Sequence, residues 1–338
     1  MGYAPPGTNP TELIALAQEA ERLDYDSAWA AEAWGTDTVT VLSWLAASTT
    51  RLKVGAAIMQ IPARTPAATG MTAATLDLMS GGRFLLGLGT SGPQVVEGWH
   101  GEAWGKPLGK TREYVEIVRR VLRRETVEHH GEHYDIPHTG PDATGFGIPL
   151  KLMMRPLRAE IPIYLAAMGP KNIALAGEIA DGWLPFLLSP ERFREVLLPS
   201  LEEGLRRAGK TLDGFDIAAT HVPLIVSDDL EAAREVVRPV IALYVGGMGA
   251  HGRNFYNSLV SRYGYEAEAA TIQDLYLDGK KREAAAAVPD SLVDEVALLG
   301  PRERIADRLE AWNECGVTTI MVRAHEPASL RVLAELVL

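Results

Sequence analysis

The feature that most constrains this chain is a repeated alternation of two hydrophobic periods. Short apolar runs at Asp26–Ala31, Leu52–Met59, Arg83–Gly89, Ile161–Ala166, Gly182–Leu187, Ile217–Val226 and Val317–Arg323 read as strands. Amphipathic stretches at Asn9–Leu23, Thr38–Ala47, Pro66–Met79, Thr111–Arg124, Pro170–Ile179, Pro190–Ala208 and Arg302–Cys315 read as helices. Strands that are apolar on both faces need a helical layer on each side, and helical crossovers make the strands parallel. The pattern predicts an α/β fold, and the length of 338 residues suits a TIM-type (β/α)8 barrel better than an open doubly wound sheet.

No composition break or Ser/Gly-rich linker divides the chain, which predicts one barrel domain over 1–338. Two stretches break the alternation and read as insertions. Glu125 to Glu160 contains HHGEHYDIPHTGPDATGFG, with a hairpin expected around Gly131, and then the basic run LKLMMRPLR. Asp229 to Pro289 is mostly helical and passes through GGMGAHG. Only seven strands are legible, and the missing one is expected first. It is either a stub at Met1–Tyr3 or lost because the chain starts downstream of the usual beginning.

Charge excludes several classes of partner. Lys plus Arg total 33 against 44 for Asp plus Glu, a net charge of −11 that repels phosphate backbones and anionic membranes. No apolar stretch reaches the ~20 residues needed to span a bilayer, and MGYAPPGTNP lacks the basic-then-apolar pattern of a leader. A soluble cytoplasmic protein with no nucleic-acid or membrane partner is expected. The single cysteine, Cys315, cannot form an internal disulfide and sits in an apolar-periodic run where packing is the expected role.

Candidate chemistry gathers where strands end. Gly87-Leu-Gly-Thr-Ser-Gly92 is a glycine-rich turn whose backbone amides, with the Thr90 and Ser91 hydroxyls, could approach an anion, although it lacks the spacing of a dinucleotide fingerprint. Ala166-Ala-Met-Gly-Pro170 offers a second such turn: Ala166, Ala167, Met168 and Gly169 precede a helix that starts at Pro170. Either turn could equally serve only to relieve crowding; together they favour a phosphate-bearing cofactor. Glu32 and Trp34 follow the Asp26–Ala31 strand at the rim where barrels carry function, and Glu32 could orient a cofactor or simply cap and solvate. Glu97 and His100 are spaced for one helix face as an acid/base pair, but Gly98 and Gly101 favour a loop there. His129, His130 and His133 lack a four-ligand spacing and read as a solvated turn, so no metal is expected. GxSxG, GxxxxGK[ST] and HExxH are all absent.

Several of these runs, taken together, resemble the luciferase-like monooxygenase superfamily and, within it, the coenzyme F420-dependent oxidoreductases. They are Leu52-Lys-Val-Gly-Ala-Ala-Ile-Met, Arg64-Thr-Pro-Ala, Leu78-Met-Ser-Gly-Gly-Arg-Phe-Leu-Leu-Gly-Leu-Gly-Thr-Ser-Gly92, Ile163-Tyr-Leu-Ala-Ala-Met-Gly-Pro-Lys171 and Ala180-Asp-Gly-Trp-Leu184. The resemblance implies a TIM-type barrel with the deazaflavin ring of F420 across the C-terminal strand ends, and FMN as the alternative cofactor. It implies a non-proline cis peptide at Ala57–Ile58 and a polar Gln60 beside the ring. It places Glu32 as the family's acidic residue, and Thr90, Ser91, Gly92 and Ala166 to Pro170 as its phosphate-holding turns. Ala33 stands where the family's sugar-phosphate dehydrogenases carry histidine, so oxidation of a sugar phosphate is not implied. The expected activity is hydride transfer between the deazaflavin and a small organic substrate; a reduced-FMN monooxygenase and a non-catalytic flavin-binding relative are the alternatives. A homodimer pairing through helices near the start of the chain is expected.

Overall fold

The computed structural model describes residues 9–324 and 326–337. The expected strand stub at Met1–Tyr3 lies outside the described residues. The chain divides into two compact units: Met1–Glu21, Asp26–Leu165 and Ile179–Asp181 form the first, and Arg22–Tyr25, Ala166–Glu178 and Gly182–Leu338 form the second.

The first unit carries strands β1 (Ser27–Ala30), β2 (Lys53–Ala56), β3 (Met59–Gln60), β4 (Phe84–Gly89), β5 (His129–His130), β6 (Asp135–Ile136) and β7 (Ile163–Ala166). Its main strands are parallel: Ala28 faces Val54, Val54 faces Phe84, Gln60 faces Gly89 and Leu86 faces Ile163. All six residues of β4 are buried, as a strand covered on both faces requires. The Leu52–Met59 run is two strands rather than one, because the Ala57–Ile58 peptide is cis and separates β2 from β3. β5 and β6 form the antiparallel hairpin expected around Gly131.

Local chemistry sets where the helices of this unit begin and end. Thr65 Oγ1 accepts from Ala68 N at 3.2 Å and Pro66 occupies the first turn, fixing the start of the helix Pro66–Met79. Arg83 closes the end of the helix Thr38–Ser48 by donating to the Ala46 and Thr49 carbonyls at 2.9 and 3.0 Å, satisfying acceptors that have no partner within the helix. The helix expected from Thr111 begins a turn earlier, at Pro107, since proline suits a first turn as well as a loop.

The second unit carries β8 (Gly182–Leu184), β9 (Asp216–Val226), β10 (Leu298–Gly300) and β11 (Thr319–Arg323), with β8, β10 and β11 each pairing parallel to β9. β10 is the strand that the sequence reading omits. Three residues, all buried, directly after the helix Asp290–Val296 leave too short a run for any period to register. The excursion from Asp229 therefore returns to β10, and only after the helix Arg302–Cys315 does the chain reach β11.

The run Pro190–Ala208 is not one regular helix. It passes through a π-helical segment, Phe193–Leu197, one turn before Pro199, which has no amide to donate to the residue four back. A second π segment, Leu243–Gly247, follows the helix Leu230–Ala242. Cys315 is buried and donates to the Trp312 carbonyl at 3.2 Å, with burial pushing its thiol above the ordinary range. Among the described residues no helix is long and apolar enough to cross a membrane.

Candidate functional site

In the first unit, loops following β1, β3 and β4 bring four sequence-expected residues into one hydrogen-bonded chain. Gln60, at the end of β3, is 1% exposed and uses every polar group. Its backbone amide donates to Glu32 Oε2 at 3.0 Å, its side-chain Nε2 donates to Ser91 Oγ at 2.7 Å, and its Oε1 lies 3.1 Å from His100 Nε2. An amide oxygen only accepts, so His100 carries a proton on Nε2.

Glu32 does not stand free. Arg64 donates to both of its oxygens, Nη1 to Oε2 at 2.7 Å and Nη2 to Oε1 at 2.9 Å, and also reaches Asp37 Oδ2 at 2.6 Å. This bidentate geometry fixes the loop after β1 against the loop after β3. The hydrogen bond to Glu32, reinforced by the charges of Glu32 and Asp37 over the cost of burial, pushes the Arg64 guanidinium above its ordinary range. For Asp37, burial acts upward. The hydroxyl and amide of Thr40, with Arg64, outweigh it and hold the carboxyl below its ordinary value. Tyr114 supports the same loop by donating to the Arg64 carbonyl at 3.1 Å, and burial pushes its phenol up to about 12.

In the glycine-rich turn the unusual backbone conformation does not fall on glycine. Ser91, not Gly92, adopts the left-handed conformation, at φ 59°. Gly92 has φ −101° and ψ 163°, which any residue adopts, and a Cβ built there would meet only Gln94 Oε1 at 3.3 Å. The backbone therefore does not require glycine at position 92. Thr90 also borders a small pocket lined by Ile61, Pro62, Val96, Trp104 and Lys110.

Glu97 and His100 do not form the expected pair. Pro93–Gly98 is a short helix rather than a loop, Glu97 is exposed on it, and His100 lies past its end, turned to Gln60. Trp34 is 52% exposed and belongs to none of these contacts. The histidines of the β5–β6 hairpin serve the hairpin itself: His129 Nε2 lies 3.1 Å from Glu113 Oε2 and His130 Nδ1 lies 2.6 Å from Asp135 Oδ1. Among the described residues no group of His, Cys, Asp and Glu is arranged to hold a metal ion.

In the second unit, the turn Ala166 to Pro170 is tied from two sides. Trp183 Nε1 donates to the Ala167 carbonyl at 2.9 Å, and Arg262 Nη2 donates to the Met168 carbonyl at 2.9 Å. Gly169 faces open space, with no atom within 4 Å of a Cβ built on it. Sequence reasoning missed Arg64 and Arg262 as members of these sites. Arg64 was visible only as part of the Arg-Thr-Pro-Ala run, and Arg262 had no local signal.

The whole chain can be set beside known proteins. The family model for luciferase-like monooxygenases matches residues 1–319. A Mycobacterium tuberculosis protein provisionally named a coenzyme F420-dependent oxidoreductase is 45% identical, covering 100% of this chain and 97% of its own. The 5,10-methylenetetrahydromethanopterin reductase of Archaeoglobus fulgidus is 29% identical over 92% of this chain and 88% of its own. Among solved structures, the coenzyme F420-dependent tetrahydromethanopterin reductase of Methanopyrus kandleri superposes with a TM-score of 0.81 at 25% identity, covering 99% of this chain and 97% of that one. The α/β fold expected from the alternating pattern is the fold of that reductase.

Proposed function

The chain belongs to the luciferase-like monooxygenase family, and from that premise we propose that this enzyme uses coenzyme F420 to transfer a hydride to or from a small organic substrate. The observation that carries the reading is the full-length likeness to relatives named for F420. Arg64 is shared by Glu32 and Asp37, so this trio keeps one net negative charge, and attraction of a phosphate to the turn Thr90 to Gly92 rests on backbone amides and the Thr90 and Ser91 hydroxyls. When bound, the deazaflavin supplies the hydride donor or acceptor carbon.

The protein's own groups bind, orient and exclude water. Ala57, Ile58 and Gln60 would lie beside the ring, and Thr90, Ser91 and Gly92 would hold phosphate; the turn Ala166 to Pro170 is a second candidate phosphate holder. Gln60, locked by three partners, fixes the orientation of the His100 ring. Glu32 and Arg64 act as positioning residues for Gln60. Titration of the purified protein with F420, FMN and NADPH tests the reading. F420 is expected to bind much more tightly than FMN; equal or reversed affinities overturn it.

The same reading includes a homodimer, supported by an exposed apolar surface in the first unit. Phe146 is 88% and Met153 94% exposed, with Ile148 and Leu150 between them. Met71 and Met79 on the helix Pro66–Met79 are also more than half exposed. Exposed large apolar side chains in such number fit a surface that a second copy covers. Light scattering is expected to give a dimer at micromolar concentration and a monomer for Ile148→Asp; a monomeric wild type overturns it.

A further inference from the structure

The second unit contains a side-chain cluster to which the reading above assigns no role, and three local irregularities build it. β9 carries a bulge where Thr220 and His221 sit between the pairs Ala219–Ile320 and Val222–Val322, with only Met321 opposite. His221 takes a left-handed φ of 61° there. A bulge of this kind re-aims a side chain and recurs beside binding sites. Tyr244 lies on the π-helical segment Leu243–Gly247, the second irregularity. Phe186 lies just past the end of β8, held by a single bridge to Thr220.

These side chains meet. The Phe186 ring lies 4.3 Å from Tyr244, 5.5 Å from Tyr256 and 5.8 Å from His221, centroid to centroid, and Tyr244 lies 4.8 Å from Tyr256. Phe186, His221 and Tyr256 are half-buried rather than sealed in the core. At one side, Arg323 Nη1 donates to His221 Nε2 at 3.0 Å. A guanidinium can only donate, so His221 is neutral with its proton on Nδ1. Arg323 is itself half-buried, and among the described residues no carboxylate stands at ion-pair distance from it. A partly buried cation is ordinarily paired, and this one faces only a neutral nitrogen.

We propose that Phe186, Tyr256, His221 and Arg323 form a binding site for a planar organic anion, an aromatic carboxylate in the first instance, with its ring on Phe186 and Tyr256 and its oxygens on Arg323. Aromatic faces take a planar ring at offset or edge geometry, and the fork of donors on arginine matches two carboxylate oxygens. His221 orients the guanidinium and does not touch the ligand.

Calorimetric titration of the cofactor-free full chain with 2-naphthoate and with neutral 2-naphthamide tests the proposal apart from any F420 measurement. The wild type is expected to bind naphthoate with Kd below ~1 mM and at least ~10-fold more tightly than the amide. Arg323→Gln is expected to remove that preference by weakening naphthoate alone. Tyr256→Leu is expected to weaken both probes by ~5-fold, in line with one lost aromatic contact. Absent naphthoate binding, or equal affinity for the two probes in the wild type, overturns the proposal without any variant. So does a folded Arg323→Gln that keeps its preference, or a Tyr256→Leu that binds unchanged. If Arg323→Gln does not fold, Arg323→Lys replaces it; retained charge with the two-point fork lost is expected to cut the preference by about half an order of magnitude, and an unchanged preference overturns the assignment to Arg323.

Discussion

The Glu32–Arg64 region of the first unit and the Arg262 and Arg323 regions of the second handle charge in opposite ways. In the first, Arg64 is shared by Glu32 and Asp37, and Gln60 and Ser91 complete one another's hydrogen bonds. In the second, Arg323 donates to an imidazole nitrogen and Arg262 to the Met168 carbonyl, both neutral acceptors. Burial pushes the Arg262 guanidinium below its ordinary range, the reverse of Arg64. The difference teaches where each region spends its polar groups. The first closes its network internally and so arrives already shaped; the second leaves positive charge uncompensated until a ligand brings the counter-charge. Changes in the first are therefore expected to cost stability, and changes in the second to cost binding.

The largest expected effect breaks the closed network. Arg64→Ala leaves Glu32, whose side chain is 8% exposed, without its counter-charge and costs about 3 kcal/mol in urea unfolding, since an uncompensated buried carboxylate is strongly unfavourable. A loss below about 1 kcal/mol would mean that solvent reaches Glu32 freely and that the first region is not closed.

The second effect sharpens the comparison inside the first unit by separating shape from fold. Gly92 already has a backbone that valine adopts readily, so Gly92→Val is expected to leave the melting temperature nearly unchanged. F420 affinity is expected to fall at least ~10-fold, about 1.4 kcal/mol, because the isopropyl group fills the clearance. Unaltered affinity in a folded protein removes Gly92 from the cofactor site.

These two positions also mark what the sequence could reveal. The alternation of periods located the main parallel strands of the first unit within a few residues, although it ran β2 and β3 together across the cis Ala57–Ile58 bond. β10 escaped because it has three residues and no period of its own. The glycine turn was legible as a turn, but that Ser91 rather than Gly92 takes the left-handed conformation was not, since tertiary contacts such as the bond from Gln60 Nε2 select it. Arg64 lies 32 residues from Glu32, and Arg323 lies 102 from His221. Pairings at such separation leave no trace in local pattern. The aromatic cluster was hidden for the same reason, its members coming from four separate elements that only the fold assembles.

The smallest expected effect lies at the exposed edge of the first unit, where charges pair in water and closure should matter least. In the β5–β6 hairpin, the hydrogen bond to Asp135 raises the pKa of His130 above 6.5, and that to His130, with the Thr139 amide and hydroxyl, lowers that of Asp135 to about 2. The contribution of His130 to stability is complete below 6.5 and is lost as pH rises through its raised value. That of Asp135 is complete above 3.8 and is lost as pH falls toward about 2. Between those limits the pair is intact, and because both groups are fully exposed, solvent screens it. NMR titration of the His130 ring is expected to show a midpoint above 6.5 that falls back toward that value in Asp135→Asn, while the melting temperature barely moves. A midpoint unaffected by Asp135→Asn removes the pair. A large fall in melting temperature would instead make the exposed hairpin as integral to the first unit as the Glu32–Arg64 pair, and the contrast between closed and open charge would no longer follow burial.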